Sequence, residues 1–323
     1  MTFDLRRGPV DVHAHWLPQE LFPLPPGAPF GALNDRDGRL FLGSTPLSIE
    51  TRLMSDVAAV RADMDAVGIG ARVLSAPPFA FARDDLPGSQ EYVEAYNDAL
   101  TAVVADGGGA FAGLGCVSLR DPGAAEKQMA RLAETDGMVG IAIPPVLGDT
   151  SLDAEPLRSV LAAAQRHDLA VLVHPMQLPS PTLAGHYLAN LIGNPVETAT
   201  AVAAATLGGV QEALPDLRLC FVHGGGCAPA LLGRWDHAWH RRPDVRADSA
   251  RPPGEVFRSL HFDTVTHDGD VLTLLRGRAG AHRVLLGSDY PFDMADDDPV
   301  THALATGLDR EELESAARRF LRL

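Results

Sequence analysis

The chain has 323 residues, of which 46% are hydrophobic and 21% are charged, as is usual for a globular protein. A formal net charge of −15 argues against a nucleic-acid partner, because phosphate binding needs clustered Lys and Arg side chains. The polar start at residues 1–7 predicts no secretory signal, and no apolar run is long enough to cross a bilayer. We therefore expect a cytoplasmic protein with no membrane partner.

Short apolar segments alternate with longer amphipathic segments along the chain. The predicted strands cover residues 10–16, 71–77, 111–119, 138–144, 170–175, 218–224, 261–266 and 283–290. The predicted helices cover residues 49–67, 90–105, 124–134, 155–167, 196–214, 229–240, 269–277 and 310–321. Continuous apolar strands that alternate with helices indicate a parallel sheet covered on both faces. Eight such repeats predict an α/β fold, a closed (β/α)8 TIM barrel, built as a single domain over residues 1–323.

Residues 17–48 interrupt this rhythm directly after the first strand. The segment is rich in Pro and Gly, with a predicted turn at residues 34–38 and a short strand at 39–42. An insertion at this point lies at the carboxyl face of a barrel, where active sites are built. We expect a lid or specificity element, and the alternative is a loop without a role in the site.

Two histidines one residue apart, His13 and His15, end the first predicted strand. Side chains two residues apart in a strand point to the same face, so both imidazoles enter the same interior space. Burying two unpaired imidazoles is costly, whereas two imidazoles on one divalent cation are well satisfied. For the pair alone, two partly exposed histidines at a strand end remain the simpler interpretation.

Three later strands change that interpretation. The fifth, sixth and eighth apolar runs end in His174, His223 and Asp289, each closely followed by a helix breaker. The ends of parallel barrel strands meet at one mouth, so we predict a metal site there. His13, His15, His174 and Asp289 form a ligand set suited to zinc, with manganese as an alternative, and leave one position for a water of lowered pKa. His223 is then the general acid–base partner.

The sequence offers no residues for an organic cofactor. No Gly-x-Gly-x-x-Gly follows the first strand, and Lys127 is the only lysine, on the polar side of a predicted helix. A Schiff base or a phosphate-loop lysine therefore lacks a residue to form it. The glycines at 224–226 either let the backbone turn tightly beside the metal or cradle an anion, and we favour the turn.

The motifs resemble the amidohydrolase-2 branch of the amidohydrolase superfamily. The likeness is greatest to the zinc-dependent α-amino-β-carboxymuconate-ε-semialdehyde decarboxylases and related nonoxidative decarboxylases. It rests on residues 11–18, 111–115, 172–175, 194–198, 208–210, 221–226, 232–234 and 286–292, which follow the family's order. The resemblance implies the same four metal ligands and His223 as catalytic residue. It also implies a homodimer in which Arg234 reaches a substrate carboxylate in the neighbouring subunit's site, and Arg242 falls near a second such arginine.

Other positions concern the substrate. Trp16, Met176 and Phe292, which stand close to the ligands in sequence, are candidate substrate-binding residues. The decarboxylases that the chain resembles tend to have tryptophan where this chain has Met176. Their substrate-binding arginine in the first barrel helix corresponds to Arg61 only with a shift of one residue, about 100° around a helix. We therefore expect a carboxylated small molecule other than the muconate semialdehyde.

The resemblance and the ligand set favour nonoxidative decarboxylation of a carboxylated aromatic or unsaturated enolic acid. The alternative is a hydrolase or hydratase acting on a lactone, amide, diketone or unsaturated acid, with the metal water as nucleophile and Asp289 or His223 as base. A non-catalytic scaffold is disfavoured because it would have no reason to keep all five site residues intact.

Overall fold

Eight parallel strands form a closed barrel in the computed structural model, which describes residues 8–22, 33–82, 87–177 and 180–323. The strands, in chain order and in order around the sheet, are β1 (Val10–His15), β2 (Ala71–Ser75), β3 (Phe111–Gly115), β4 (Met138–Ile143), β5 (Ala170–Val173), β6 (Leu219–Phe221), β7 (His261–Asp263) and β8 (Val284–Leu285). The barrel closes where Val12 N donates to Leu286 O at 2.9 Å and His15 N donates to Tyr290 O at 2.7 Å. The predicted (β/α)8 barrel is confirmed.

The major helices cover the outside of this barrel. They are α1 (Val57–Val67), α2 (Ser89–Asp106), α3 (Pro122–Ala133), α4 (Leu157–Arg166), α5 (Asn194–Leu207), α6 (Ala228–Arg241), α7 (Gly269–Ala279) and α8 (Arg310–Leu321). Shorter helices are Thr51–Ser55, Val210–Ala213, Pro253–Val256 and Pro299–Ala305. Helix α4 shows the general rule, since Leu157, Val160, Leu161 and Ala164 are buried at helical spacing. None of the described helices combines the length and apolar character needed to span a membrane.

Two predicted helices are divided in the structure. The segment 49–67 breaks at Asp56, whose side chain accepts a hydrogen bond from Ala58 N and so caps α1. The segment 196–214 breaks after α5, where Gly209 takes a φ of 68°. Local capping and a left-handed glycine therefore stop helices that apolar periodicity alone joins together.

Strands β6 and β8 are shorter than predicted. The backbone leaves extended geometry at the residues with site chemistry, where His223 has a φ of 55° and Asp289 a φ of 63°. Positive φ is incompatible with a regular strand, so extended pairing is interrupted at these residues. Their side chains lie on tight turns at the barrel mouth.

The insertion after β1 carries its own antiparallel sheet, made of Leu33–Arg36, Arg39–Leu42 and Thr45–Glu50. The predicted strand at 39–42 is confirmed. The turn predicted over residues 34–38 is confined to Asp37 and Gly38, because the residues before it pair in the first strand of this sheet. Residues 23–32 of the predicted insertion, like the polar start at residues 1–7, lie outside the described residues.

Candidate metal centre

Four side chains with metal-binding atoms converge at the carboxyl end of the barrel. His13 and His15 project inward from β1, His174 follows β5, and Asp289 lies on the turn after β8. Their ligand-type atoms all lie within 4.8 Å of one another, and all four residues are buried. Two ligands on opposite sides of a divalent ion are about 4 Å apart, so one ion can be bound by this group.

In each of the three histidines, a hydrogen bond at Nδ1 orients the imidazole ring. Nδ1 of His13 lies 2.6 Å from Asp263 Oδ2, Nδ1 of His15 lies 3.2 Å from Ala76 O, and Nδ1 of His174 lies 2.7 Å from Pro175 O. All three partners are acceptors, so in its neutral form each imidazole carries the proton on Nδ1 and keeps the lone pair of Nε2. The three Nε2 atoms lie 3.1, 3.0 and 3.8 Å from Asp289 Oδ1.

This arrangement fits a divalent cation. Nε2 of His13 and Nε2 of His174 are buried and have no hydrogen-bond partner among the described residues. Buried polar atoms without partners are costly, and a cation in the centre would satisfy both lone pairs and the carboxylate together. Three imidazole nitrogens and one carboxylate oxygen are a donor set found at metal centres that keep an open position.

The pKa shifts of the candidate ligands also indicate a bound cation. Burial lowers the pKa of His174 to about 3, so this imidazole is neutral and able to bind a metal. Burial also opposes a charged His13, but the carboxylates of Asp289 and Asp263 outweigh it and raise the pKa of His13 to about 10. Burial opposes the ionised form of Asp289, but the charge of the adjacent His13 holds the pKa of this carboxyl group well below its usual range. The site therefore favours one positive charge at its centre.

His223 lies beside this group without belonging to it. Its Nε2 is 3.3 Å from Asp289 Oδ2, whereas Nε2 of His13 and Nε2 of His15 contact Oδ1 of the same carboxylate. Its Nδ1 is buried without a hydrogen-bond partner among the described residues. The following glycines form a tight turn, since a Cβ at Gly226 would lie 2.1 Å from Pro195 O. His223 thus faces the centre as an additional imidazole.

Asp263 was not predicted as a site residue, although the seventh strand shows the same pattern of an apolar run that ends in a polar residue. Besides the bond to His13, the Asp263 carboxylate accepts a hydrogen bond from Gly224 N at 2.8 Å. It therefore links the ring orientation of His13 to the turn that carries His223. Such a carboxylate behind a metal-binding imidazole fixes the tautomer and the ring plane.

A second buried carboxylate, Asp11, was also not predicted from the sequence. It stabilises the backbone segments that carry the candidate ligands. It accepts from Arg72 Nε at 2.8 Å, from Ser288 Oγ at 2.6 Å and from His13 N at 3.1 Å. Ser288 directly precedes the candidate ligand Asp289. Asp11 therefore holds together the segments of β1 and the β8 turn from which three of the four ligands project.

A cavity of about 490 Å³ opens beside the centre. Candidate ligands His174 and Asp289 contribute to its wall, and the insertion sheet contributes Leu42 and the stretch from Thr45 to Ile49. The remaining lining residues are Pro78, Phe79, Pro175, Met176, Gln177, Tyr187, Asn190, Asn194, Phe292, Asp293 and Met294. The lining is largely apolar, and none of these described residues is an arginine or lysine.

The substrate-binding candidates next to the ligands fall into two groups. Met176 and Phe292 line the cavity, and the ring of Phe292 lies 5.1 Å from that of His15. Trp16 is not among the described lining residues; it is buried, and its indole donates to Ser55 O at 3.0 Å. Its position indicates packing behind the wall of the cavity.

The candidate arginines lie away from the cavity in their own subunit. Arg234 is exposed on α6, and Arg242 directly after that helix pairs with Asp244 at 2.7 Å. Arg61 on α1 donates to Gly107 O at 2.7 Å and stacks on the ring of Phe111. Within the described chain, no arginine therefore reaches the cavity wall.

Comparison with known proteins agrees with these features. The profile of the family described as Amidohydrolase matches residues 10–321. A 2-amino-3-carboxymuconate-6-semialdehyde decarboxylase from Dictyostelium discoideum is 30% identical over 245 residues, which are 75% of this chain and 67% of that protein. A gamma-resorcylate decarboxylase from Rhizobium radiobacter is 28% identical over 249 residues, 72% of this chain and 76% of that protein.

A solved structure shares the fold. The 5-carboxyvanillate decarboxylase from Novosphingobium aromaticivorans DSM 12444, complexed with manganese and 4-hydroxy-3-methoxy-5-nitrobenzoic acid, superimposes with a TM-score of 0.80 at 19% identity. The match covers 100% of this chain and 98% of that one. Together with the family profile and the relatives, this fold and this centre lead to one conclusion: the chain belongs to the amidohydrolase-2 family of the amidohydrolase superfamily.

Proposed function

We propose that this chain catalyses metal-dependent nonoxidative decarboxylation of a carboxylated aromatic or unsaturated enolic acid. The observation that carries the proposal is the convergence of three oriented imidazoles and Asp289 beside a largely apolar cavity, with His223 as an additional imidazole. Both relatives described above are named as decarboxylases, one of them of an aromatic acid. A flat apolar substrate with a single reacting carboxylate suits such a cavity.

The residues of the chain divide the work. A divalent ion held by His13, His15, His174 and Asp289 would supply a Lewis acid for negative charge on a substrate oxygen. His223, hydrogen-bonded to Asp289, delivers a proton to the carbon that bears the carboxylate. That carbon gains a C–H bond, its bond to the carboxylate breaks, and carbon dioxide leaves while the electron pair restores conjugation. Phe79 and Phe292 provide apolar surface that excludes water from the reacting carbon.

We propose zinc as the native metal. Three imidazoles and one carboxylate suit zinc, which accepts low coordination numbers and leaves a position open for water or substrate. Manganese is the alternative, since the decarboxylase of the same fold from Novosphingobium aromaticivorans was crystallised with that ion. Elemental analysis of protein purified without added metal distinguishes the two.

We further propose a homodimer in which Arg234 contributes to the neighbouring subunit's cavity. Exposed apolar side chains lie on α5 or just before it and on α6, the helix of Arg234, and these two helices contact each other: Tyr187, Leu191, Ile192, Val196 and Leu231. Leu231 precedes Arg234 by one helical turn and so shares its face. Apolar surface of this kind favours a subunit interface, and a cavity with no arginine among its described lining residues leaves room for one from a partner.

The insertion at residues 17–48 is proposed as a lid within this single domain. Leu42 and the strand Thr45–Glu50 supply part of the cavity wall, which supports a role in substrate selection. An exchange of this sheet for a short Gly-Ser connection should widen the cavity. The expected result is weaker substrate discrimination with the metal content retained.

The reaction is tested with a panel of hydroxybenzoates, carboxylated heteroaromatics and enolic acids, incubated with the metal-loaded protein. Mass spectrometry then distinguishes loss of carbon dioxide from gain of water, and His174→Ala is the inactive control. Release of carbon dioxide from at least one acid supports the decarboxylase. Addition of water without any decarboxylated product would make the chain a hydrolase or hydratase, and the proposal would be wrong.

A further inference from the structure

Asn194 has a buried amide oxygen without a hydrogen-bond partner in the described structure. The residue is only 9% exposed, and its Oδ1 has no hydrogen-bond partner among the described residues. Its backbone is fully engaged, since its N–H donates to Ala189 O and its carbonyl accepts from Thr198 Oγ1 at 2.9 Å. The side chain is therefore not required to complete the local backbone bonding.

A second buried asparagine shows what a structural amide looks like in this protein. Asn97 is 8% exposed, its Nδ2 donates to Cys116 O at 2.9 Å, and its Oδ1 accepts from Cys116 N at 2.8 Å. Burial is thus the same at both positions, but only Asn97 is satisfied by the fold. An unsatisfied buried acceptor in a native protein needs another explanation, and a ligand is one.

The position of Asn194 points to such a ligand. It stands where the π-helical turn Ala189–Gly193 passes into α5, and π turns are frequent at functional sites. Asn194 and Asn190 both line the cavity that also contains the candidate metal ligands His174 and Asp289. A substrate bound at the metal centre would therefore lie in the same cavity as the side-chain amides of Asn190 and Asn194.

The charges around the cavity restrict which substrate groups can bind beside these two asparagines. Its carboxylates are those of Asp289 and Asp293, and Asp293 accepts a bond from Tyr187 Oη at 3.4 Å. None of the described lining residues is an arginine or lysine. The arginine proposed from the neighbouring subunit is left for the reacting carboxylate. A second carboxylate would meet negative charge and acceptors beside the asparagines, whereas a hydroxyl or amino group would find acceptors.

We propose that Asn194 determines specificity by accepting, through its side-chain oxygen, a hydrogen bond from a hydroxyl or amino substituent of a monocarboxylate substrate. The inference rests on the proposed function for the identity of the reacting carboxylate. Recognition itself needs no turnover, because the bond forms in the bound ground state.

The test uses Asn194→Leu, which keeps the size of the side chain and removes its polar atoms. Zinc-loaded protein is titrated calorimetrically with the three hydroxybenzoate isomers and the three matching methylbenzoates. We expect the wild type to prefer at least one hydroxybenzoate over its methyl counterpart, and Asn194→Leu to reduce that preference by about 3- to 10-fold, as loss of one neutral hydrogen bond predicts.

Stability supplies the second readout. Removal of an unsatisfied buried oxygen should leave the urea midpoint of Asn194→Leu equal to or above that of the wild type. The matched control Asn97→Leu should lower the midpoint and leave the hydroxyl preference intact. Asn194→Ala gives the same binding test if the leucine does not fit.

Three results would overturn the proposal: no hydroxyl preference in the wild type, an unchanged preference in both Asn194 variants, or a loss of stability in Asn194→Leu as large as in Asn97→Leu. The proposed reaction can be contradicted independently of the role of Asn194. A preference that depends on Asn194 in a protein that releases no carbon dioxide from any acid would contradict the decarboxylase and leave the role of Asn194 standing.

Discussion

The carboxylate of Asp263 lies 2.6 Å from Nδ1 of His13 inside the barrel, although 250 residues separate the two in sequence. This contact directs Nε2 of His13 to the centre of the candidate metal site. We expect Asp263→Ala to lower metal affinity by about 10- to 100-fold, the range found for carboxylates behind metal-binding imidazoles. The measurement is a competition titration with a chromophoric chelator.

Asp268 is a suitable control for Asp263. It follows β7 in the same loop, and its side chain caps α7 by accepting from Asp270 N and Val271 N. Asp268→Ala should cost about 1 kcal/mol of stability as a lost cap and leave metal affinity unchanged. Equal metal affinity in the Asp263 variant and the wild type would show that the contact does not orient a ligand.

The four proposed ligands should be required for metal binding. His13→Ala and His174→Ala remove imidazoles whose Nε2 atoms are buried without a partner in the described structure, so metal content should fall sharply in both. Elemental analysis after dialysis measures this, with the exposed His240→Ala as control. Full metal content in either ligand variant would disprove the assignment.

His223 should act in the reaction without holding the metal. Its Nε2 hydrogen-bonds to Asp289 Oδ2 at 3.3 Å, and the residue lies outside the group of four candidate ligands, so His223→Ala should keep its metal and nearly its melting temperature. Activity should fall by about 100-fold or more, the scale of a general acid–base group. Turnover close to that of the wild type would remove His223 from the mechanism.

A role of Arg234 across the interface predicts complementation between variants. Arg234→Ala and His223→Ala proteins are each expected to be nearly inactive, but a mixed dimer contains one site with both residues intact. Mixing should therefore restore part of the activity after subunits exchange, which native mass spectrometry of isotope-labelled protein monitors. Exchange without recovery would place Arg234 outside the neighbouring site. The matched control Arg241→Ala changes an exposed arginine of the same helix and should keep full activity.

The buried imidazole of His261 should make the folding stability depend on pH. Burial in the barrel lowers the pKa of this imidazole to about 3, whereas an unfolded chain has the ordinary value of 6.5. Because the unfolded state binds the proton first, His261 lowers stability progressively as pH falls from about 6.5 towards 3, with about 2 kcal/mol lost by pH 5.

The measurement for His261 is urea unfolding of the chelated protein at pH 7 and pH 5. His261→Gln keeps an acceptor near Arg283 and does not titrate, so its stability should fall less between the two pH values than that of the wild type. His240→Gln, at an exposed position, should behave as the wild type does. An equal fall in wild type and His261→Gln would contradict the prediction.

The local pattern of the chain is sufficient for the barrel and for the candidate ligands. Apolar runs alternating with amphipathic segments predict the eight strands, and the ends of parallel strands must meet at one mouth. His13, His15, His174 and Asp289 are found this way because each one ends or closely follows such a run. Because His13 and His15 are two residues apart in one strand, both rings lie on the same face.

The sequence does not, by itself, determine which side chains meet across the barrel. Asp263 bonds to His13, Asp11 bonds to Ser288, and the amide oxygen of Asn194 has no partner among the described residues. Strand register and the turns of positive φ fix these distances. The insertion sheet becomes part of the cavity wall only once it folds back over the barrel mouth. Periodicity is a local property that each segment carries alone, whereas hydrogen-bond partners and cavity walls come from segments hundreds of residues apart, and only close packing brings those together.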